Sequence, residues 1–238
     1  MRLRAGVAAL ALVGPLAACG IVPDDPAAVP TSVVPPVPAA TTAAGLSPDG
    51  FDAEHRIALR LRSVTCDGIA TGSGFAIDEH TLVTARHVVD DATSVQVSTY
   101  DGHDVLTTTA TIARDADLAV VTTVDALPVG ATLAGSDPAV GDPVTVVGYP
   151  LGKALDVTTG HVTAGRDDPL RENAAPVLVT DAPVEAGSSG SPVLDDDGHV
   201  AGVVYAKGQD DTTYFVPVST LRSMLDDEDA FVPTPGCS

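Results

Sequence analysis

Three side chains of this sequence, His87, Asp117 and Ser189, could together perform nucleophilic catalysis. A serine hydroxyl is a poor nucleophile unless a base removes its proton during the attack. A neutral histidine suits that task because its ordinary pKa is about 6.5. A buried carboxylate can hold the imidazole in the required tautomer and stabilise its protonated form. The three residue types therefore predict covalent chemistry at a serine, provided that the fold brings them together.

The acidic and the serine position each have competitors close by in the sequence. Asp115 precedes Asp117 by two residues, but only Asp117 is followed directly by an apolar run that would bury it. Ser188 and Ser191 lie beside Ser189, yet only Ser189 has a glycine two positions before it and another directly after it. These local patterns favour Asp117 and Ser189.

The glycines around Ser189 predict a second feature of the site. Gly187 and Gly190 allow the loop to turn so that successive backbone N–H groups point the same way. Such donors stabilise the negative charge that develops on a carbonyl oxygen under nucleophilic attack. We expect the backbone N–H groups of Gly187 and Ser189 to be those donors, an oxyanion hole.

Short runs of apolar and β-branched residues, separated by turn signals, make up most of the remaining chain. They predict strands at 57–64, 69–77, 81–84, 94–100, 105–113, 118–124, 143–149, 157–164, 177–180, 191–194, 199–205 and 212–218. The stretch 125–140 is poor in strand formers and is predicted to connect two halves of six strands each. The clearest helix signal begins at Ser219, which is predicted to cap it. Many strands and few helices predict an all-β fold, either a sandwich or barrels.

The chain is strongly acidic and poor in aromatic residues. Its 238 residues include 12 Lys+Arg and 32 Asp+Glu, for a formal net charge of −20, and only 3 % are aromatic. Such a surface repels phosphate backbones, so we expect no nucleic-acid partner. The charge also excludes attachment to anionic lipid through a basic patch. The core is expected to consist mainly of Val, Ala, Leu and Ile.

The first 18 residues have the proportions of a signal peptide, with a basic head and an apolar run too short to span a bilayer. Small residues then lead to Cys19, a pattern that resembles the bacterial lipobox. This resemblance implies cleavage before Cys19, a lipid anchor on it, and a location at the cell membrane outside the cytoplasm. An ordinary secretory signal with an incidental cysteine is the alternative. Residues 19–48 are rich in Pro, Ala and Thr, which predicts an extended tether.

The two remaining cysteines, Cys66 and Cys237, predict one disulfide, because an even pair in an exported chain favours oxidation. The sequence has no C-x-x-C spacing of the kind that binds structural zinc. The acidic run 195–197 lacks the spacing of an EF-hand calcium loop and predicts a hairpin turn. We therefore expect neither a metal nor another cofactor.

The order of the motifs resembles that of the chymotrypsin-like (trypsin-like) serine proteases. The sequence has Thr-Ala-x-His ending at His87, Asp-Leu-Ala beginning at Asp117 and Gly-x-Ser-Gly-x-Pro around Ser189. A Gly-Ser-Gly-Phe segment at 72–75 is similar to the bacterial HtrA/DegP-like branch of this family. By position in these motifs, the resemblance implies that His87 is the general base, Asp117 its orienting carboxylate and Ser189 the nucleophile.

The resemblance also implies the architecture. A protease domain is expected at 49–238, built from two six-stranded antiparallel β-barrels with a short C-terminal helix. The first barrel would span 49–125, and the second, with the helix, 140–238. The catalytic residues are then expected in the cleft between the barrels.

Three positions depart from the family pattern. Ser188 and Ser191 stand where many relatives have Asn and Gly, and Ser188 cannot receive a freed N-terminus as the aspartate of trypsin zymogens does. Pro183 stands where trypsins place the acid that selects Lys or Arg. A small or medium apolar residue is therefore expected before the cleaved bond, at the P1 position. HtrA-like proteins usually carry a PDZ domain after the protease, and none is expected in a chain that ends at Ser238.

Two functions follow from these patterns. The first is an extracytoplasmic serine endopeptidase that hydrolyses polypeptide substrates through an acyl-enzyme. The alternative is a catalytically silent, protease-like lipoprotein that binds a partner. No sequence motif bears on the oligomeric state.

Overall fold

The computed structural model describes residues 51–209 and 211–235. The predicted signal peptide, tether, Cys19 and Cys237 lie outside these residues. The strands are β1 Ala58–Thr65, β2 Gly68–Ala76, β3 Thr81–Thr84, β4 Ala92–Ser98, β5 Asp104–Val105, β6 Thr107–Ala113, β7 Ala119–Thr123, β8 Pro143–Gly148, β9 Asp156–Arg166, β10 Val177–Thr180, β11 Pro192–Leu194, β12 Val200–Lys207, β13 Thr213–Pro217 and β14 Phe231–Pro233. The helices are α1 Ala53–Ile57, α2 Arg86–Val89 and α3 Val218–Leu225, and a 3-10 turn covers Pro150–Gly152.

The first seven strands and β14 form one curled antiparallel sheet, in the order β14-β6-β7-β3-β2-β1-β4-β5. No ladder joins its end strands β14 and β5 in the described ranges, so the sheet is open. The predicted run 105–113 is divided at Leu106, because the N–H of Leu106 bonds the Asp125 carboxylate at 2.8 Å. Thr107 Oγ1 donates to Val95 O at 2.9 Å, which links β6 to β4. The first half is thus a half-barrel with a groove of about 1040 Å³ between these strands.

The second half is a closed six-stranded barrel in the order β10-β13-β12-β11-β8-β9. All of its strand pairs are antiparallel, and the longest ladder joins β8 to β9 from Pro143 opposite His161 to Gly148 opposite Asp156. The predicted all-β class with two antiparallel halves is confirmed, although the first half is an open eight-stranded sheet and not a closed six-stranded barrel.

The core is aliphatic, as the composition predicts. Among the largest fully buried side chains of the described residues, Phe75 and Phe215 are aromatic and all the others are leucine or valine. One cluster contains Phe75 of β2 and Leu118, directly before β7, together with Leu194 and Val203 of the barrel. Burial of each such side chain contributes about 1.5–3 kcal/mol, so this shared cluster packs the two sheets against each other.

The predicted C-terminal helix is present, but Ser219 does not cap it. Pro217 occupies the N-cap position and its side chain offers no acceptor. Asp137 performs this task from the segment between the two sheets, since its carboxylate accepts from Ser219 N at 2.8 Å and Ser219 Oγ at 2.6 Å. None of the helices in the described ranges combines the length and the apolar character needed to cross a membrane.

Candidate active site

His87 and Asp117 meet at one end of the first sheet. Strand β3 ends at Thr84, and His87 lies in the short helix α2 that follows. Asp117 lies in the loop between β6 and β7. The imidazole Nδ1 is 2.7 Å from Asp117 Oδ2, and the backbone N–H of His87 donates to Asp117 Oδ1 at 3.0 Å. Both carboxylate oxygens therefore hold the same histidine, which leaves the Nε2 side of the ring available for chemistry.

The two side chains differ in exposure. Asp117 is 2 % exposed, whereas half of the His87 side chain is exposed. Burial alone would lower the pKa of His87. The hydrogen bond and the charge of Asp117, with a further contribution from Glu172, outweigh burial and the opposing charge of Arg86, so the pKa of His87 is raised. A carboxylate that is buried but fully hydrogen-bonded stabilises the imidazolium form.

Ser189 lies in the loop between β10 and β11, which is shaped by two glycines in left-handed conformations. Gly187 has φ +93° and Gly190 has φ +88°, values that an L side chain rarely adopts. Gly190 N donates to Val204 O of the barrel at 2.7 Å, while Ser189 O accepts from Ser73 N of the first sheet at 2.8 Å. The loop is therefore fastened to both halves.

The backbone donors of this loop fall into two groups. The N–H of Ser188 donates to Glu185 O at 3.0 Å. The N–H of Gly190 donates to Val204 O at 2.7 Å, and that of Ser191 donates to Ser188 O at 3.0 Å. Those of Gly187 and Ser189 donate to no acceptor among the described residues. The sequence predicted an oxyanion hole formed by the same two N–H groups. Two uncommitted N–H groups on either side of one peptide are available to a substrate carbonyl oxygen.

The backbone around Ser189 lies close to Ala85 and Val88, which flank His87 in the sequence. A Cβ built on Gly190 would lie 3.0 Å from Ala85 N, two residues before the histidine. One built on Gly72 would lie 2.6 Å from the Val88 side chain and 3.2 Å from Ser189 O. The fold thus brings the serine loop against the segment that carries His87. No hydrogen bond joins Ser189 Oγ to His87 within the described ranges, so the direct contact seen in the structure is that between His87 and Asp117.

Ser73 connects the two halves at this point, a role that its sequence motif did not reveal. Its side chain is fully buried. Its hydroxyl donates to Gly187 O at 2.8 Å and accepts from Tyr149 N at 2.8 Å. Its carbonyl accepts from Thr84 Oγ1 at 2.7 Å. The Gly-Ser-Gly-Phe segment therefore holds the serine loop by hydrogen bonds, and its Phe75 belongs to the core shared by the two sheets.

The unusual Ser191 is accommodated by a glycine in a neighbouring strand. Ser191 is fully buried and its hydroxyl has no hydrogen-bond partner among the described residues. A Cβ built on Gly148 of β8 would overlap this hydroxyl. Ser191 fits because Gly148 lacks a side chain, so the departure from glycine at position 191 leaves the fold of the loop intact.

Two other predicted positions have clear surroundings. The run 195–197 forms the hairpin loop between β11 and β12, in which Asp195 Oδ1 accepts from Asp197 N at 3.0 Å and His199 N at 2.8 Å. One ligand atom from each of these three residues lies within 4.8 Å of the others, the only such group in the described ranges. Cys66 is exposed in the turn between β1 and β2.

The fold and this site define a class of protein, the chymotrypsin-like serine proteases. Residues 72–203, more than half of the chain, match the family described as the trypsin-like peptidase domain. The chain belongs to that family.

The curated relatives are serine proteases of the HtrA type. The chain is 36 % identical over 141 residues to the serine protease Do-like HtrA of Bacillus subtilis, which covers 55 % of this chain and 31 % of that protein. It is 34 % identical over 137 residues to the probable periplasmic serine endoprotease DegP-like of Hahella chejuensis, covering 56 % and 29 %. The predicted branch is confirmed, and the chain spans about a third of the length of these relatives.

A solved structure extends the likeness to about three quarters of this chain. The active form of the Rv3671c protease from M. tuberculosis is similar with a TM-score of 0.68 and 25 % sequence identity, over 77 % of this chain and 85 % of that one.

Proposed function

We propose that the protein is a serine endopeptidase in which Ser189 is the nucleophile, His87 the general base and Asp117 its orienting carboxylate. The observation that carries this proposal is the combination of the His87–Asp117 pair with a serine loop that leaves two backbone N–H groups uncommitted. Membership of the trypsin-like peptidase family supports it. No step requires a cofactor, because the acid, the base and the nucleophile are all side chains.

The reaction proceeds in two stages. His87 Nε2 takes the proton from Ser189 Oγ as the oxygen attacks the peptide carbonyl carbon. The N–H groups of Gly187 and Ser189 stabilise the oxyanion, and the imidazolium then gives its proton to the leaving amine. Water, activated by the same histidine, attacks the acyl-enzyme and releases the second product with regeneration of Ser189.

A phosphonate probe tests the proposal directly. Fluorophosphonates form a covalent bond with an activated serine, so the purified protein should become labelled at one site, identified as Ser189 by peptide mass. A folded protein that neither takes up the label nor cleaves an unfolded substrate at pH 8 would favour the binding scaffold instead.

The residues directly before the serine loop, 183–185, support a preference for small or medium apolar P1 residues. Pro183 provides no charge. Two acids are among the described residues that line the pocket beside Ser188: Glu185, which is bound by Lys207 Nζ at 3.0 Å, and Asp156, which is exposed at the start of β9. Val184 is buried in the barrel. A cationic P1 side chain would therefore find no buried carboxylate among the described residues of this pocket. Cleavage of matched chromogenic peptides is expected to be faster after Ala or Val than after Lys, and the reverse order would refute this preference.

The pH dependence of activity should report on His87. The base acts only in its neutral form, and the pKa of His87 is raised by Asp117. Activity is therefore expected to be lost as the pH falls through a midpoint above the ordinary histidine value of about 6.5. The measurement is kcat/KM between pH 5 and 9.

Glu172→Gln provides a matched control for this profile. Glu172 contributes to the raised pKa of His87 through its charge. Its removal should shift the acid limb to lower pH. An acid limb well below 6.5 in the unmodified protein would contradict the assignment of His87 as the base.

We also propose that the protein acts outside the cytoplasm, with a lipid on Cys19 and a disulfide between Cys66 and Cys237. The signal-like first 18 residues support this location, and DegP-like relatives are described as periplasmic. The intact mass of the protein extracted from membranes, before and after reduction, tests both modifications. A mature protein with an unmodified Cys19, or two free thiols, would refute the respective proposal.

A further inference from the structure

The loop between β9 and β10, residues 167–176, contacts the His87–Asp117 pair from the opposite half of the molecule. Asn173 Oδ1 accepts from the backbone N–H of Asp117 at 2.8 Å, across 56 residues of sequence. The next residue, Ala174, donates its N–H to Asp115 O at 2.8 Å. Two hydrogen bonds from one loop thus fix the backbone on which the carboxylate of Asp117 is mounted.

The amide of Asn173 can face only one way. Its Nδ2 donates to Asp168 Oδ2 at 2.9 Å, and a carboxylate oxygen can only accept from it. The other amide atom, Oδ1, must then be the acceptor for the Asp117 N–H, which can only donate. Asn173 is 7 % exposed, so water does not readily replace either bond.

Asp168 is in turn held by several donors. Its carboxylate accepts from Tyr205 OH at 2.6 Å, from Asn173 Nδ2, and from three backbone N–H groups of its own loop at 2.8–2.9 Å. Burial alone would raise the pKa of Asp168, but the hydrogen bonds from Tyr205 and Asn173 outweigh it and lower that pKa. Asp168 therefore remains ionised and keeps the loop in this form.

The same loop also reaches the helix that carries His87. Arg86 Nη2 is 2.7 Å from Glu172 Oε2, an ion pair directly beside the histidine. The charged groups that act on His87 are thus Asp117, Glu172 and Arg86. At the far end of the network, Tyr205 lies on β12, next to Val204, whose carbonyl holds Gly190 of the serine loop.

We propose that Asn173 is a positioning residue: it fixes Asp117 against His87, and Asp168 and Tyr205 hold its amide in the required orientation. This inference rests on the proposed function. In this proposal the β9–β10 loop connects the two halves of the site. It contacts Asp117 in the first half and Tyr205 of β12, the barrel strand that also binds the serine loop.

Asn173→Ala is expected to lower kcat about 10- to 100-fold and to change KM much less, since a displacement of about 1 Å in a catalytic group costs this much. The pKa of His87, measured by NMR titration of its ring protons, should fall, because a loosened Asp117 no longer opposes the effect of burial. A loss of general stability alone would leave that pKa unchanged in the folded fraction.

Leu170→Ala is the matched control, because it lies in the same loop and its side chain is 50 % exposed. It should retain the kcat and the His87 pKa of the unmodified protein. If Asn173→Ala gives the same two values as Leu170→Ala, the positioning role is overturned.

Tyr205→Phe keeps the proposal testable if Asn173→Ala does not fold. It removes one donor to Asp168 and leaves Asn173 in place, so a smaller decrease of kcat and of the His87 pKa is expected. Unchanged values would overturn the proposed network. Failure of the unmodified protein to cleave or label would refute the proposed function alone, because the NMR titration of the variants needs no substrate.

Discussion

Replacing Ser189 with alanine is expected to lower kcat by about a million-fold, because removal of the nucleophile of a Ser-His-Asp triad abolishes the acyl-enzyme route. The residual rate would come from water attack assisted by the N–H groups of Gly187 and Ser189, which the variant retains. The fold should be unaffected, since Ser189 Oγ bonds no described residue. Hydrolysis of an unfolded protein substrate, measured beside the thermal unfolding midpoint, checks both expectations.

Ser191→Ala is the matched control for this variant. It removes a hydroxyl from the same loop, only two residues away, and that hydroxyl is buried without a partner. An unsatisfied buried polar group is costly, so the variant should be at least as stable and should keep its activity. Equal losses in both variants, or a fully active Ser189→Ala protein, would rule out Ser189 as the nucleophile.

Gly190→Ala is expected to have the second largest effect, on both stability and activity. The new methyl group would overlap Ser73 O and Thr84 Oγ1 and would lie 3.0 Å from Ala85 N. The backbone there has φ +88°, which an alanine adopts only with strain. Since fully buried backbone cannot move aside cheaply, we expect a loss of about 3–5 kcal/mol in the free energy of unfolding. The displaced loop should also lower the rate of phosphonate labelling at least about 100-fold.

Gly198→Ala separates the effect of the positive φ from the effect of steric overlap. Gly198 also has a left-handed backbone, with φ +76°, but a Cβ built there meets no atom within 4 Å. Only the conformational cost of about 1–2 kcal/mol is therefore expected, with no change in labelling. The measurement is urea unfolding of both variants. Similar losses of stability would show that the close approach of Gly190 to the first sheet has no energetic importance.

Local patterns predicted much of this molecule. The strand runs, the late helix and the aliphatic core follow from periodicity and composition, because each depends on residues that are near one another in sequence. The motifs around His87, Asp117 and Ser189 are likewise local, which is why all three positions could be selected before the fold was known.

The contacts that assemble the site could not be predicted in the same way. Asn173 lies 56 residues from Asp117, and Ser73 lies 114 residues from Gly187. Nothing in the immediate sequence of Asn173 or Ser73 indicates these partners, since they arise only when two sheets pack together. The cap on α3 has the same origin, because Asp137 supplies from a distant segment the acceptor that Ser219 was predicted to supply.

The hydroxyl of Ser73 has a consequence for how the enzyme would be switched off. It belongs to the first sheet, yet it holds Gly187 O and Tyr149 N of the second half. Separation of the halves would break both bonds at once and release the peptide adjoining the nucleophile. A ligand that separates the halves is therefore expected to displace the serine loop and to inhibit without contacting Ser189.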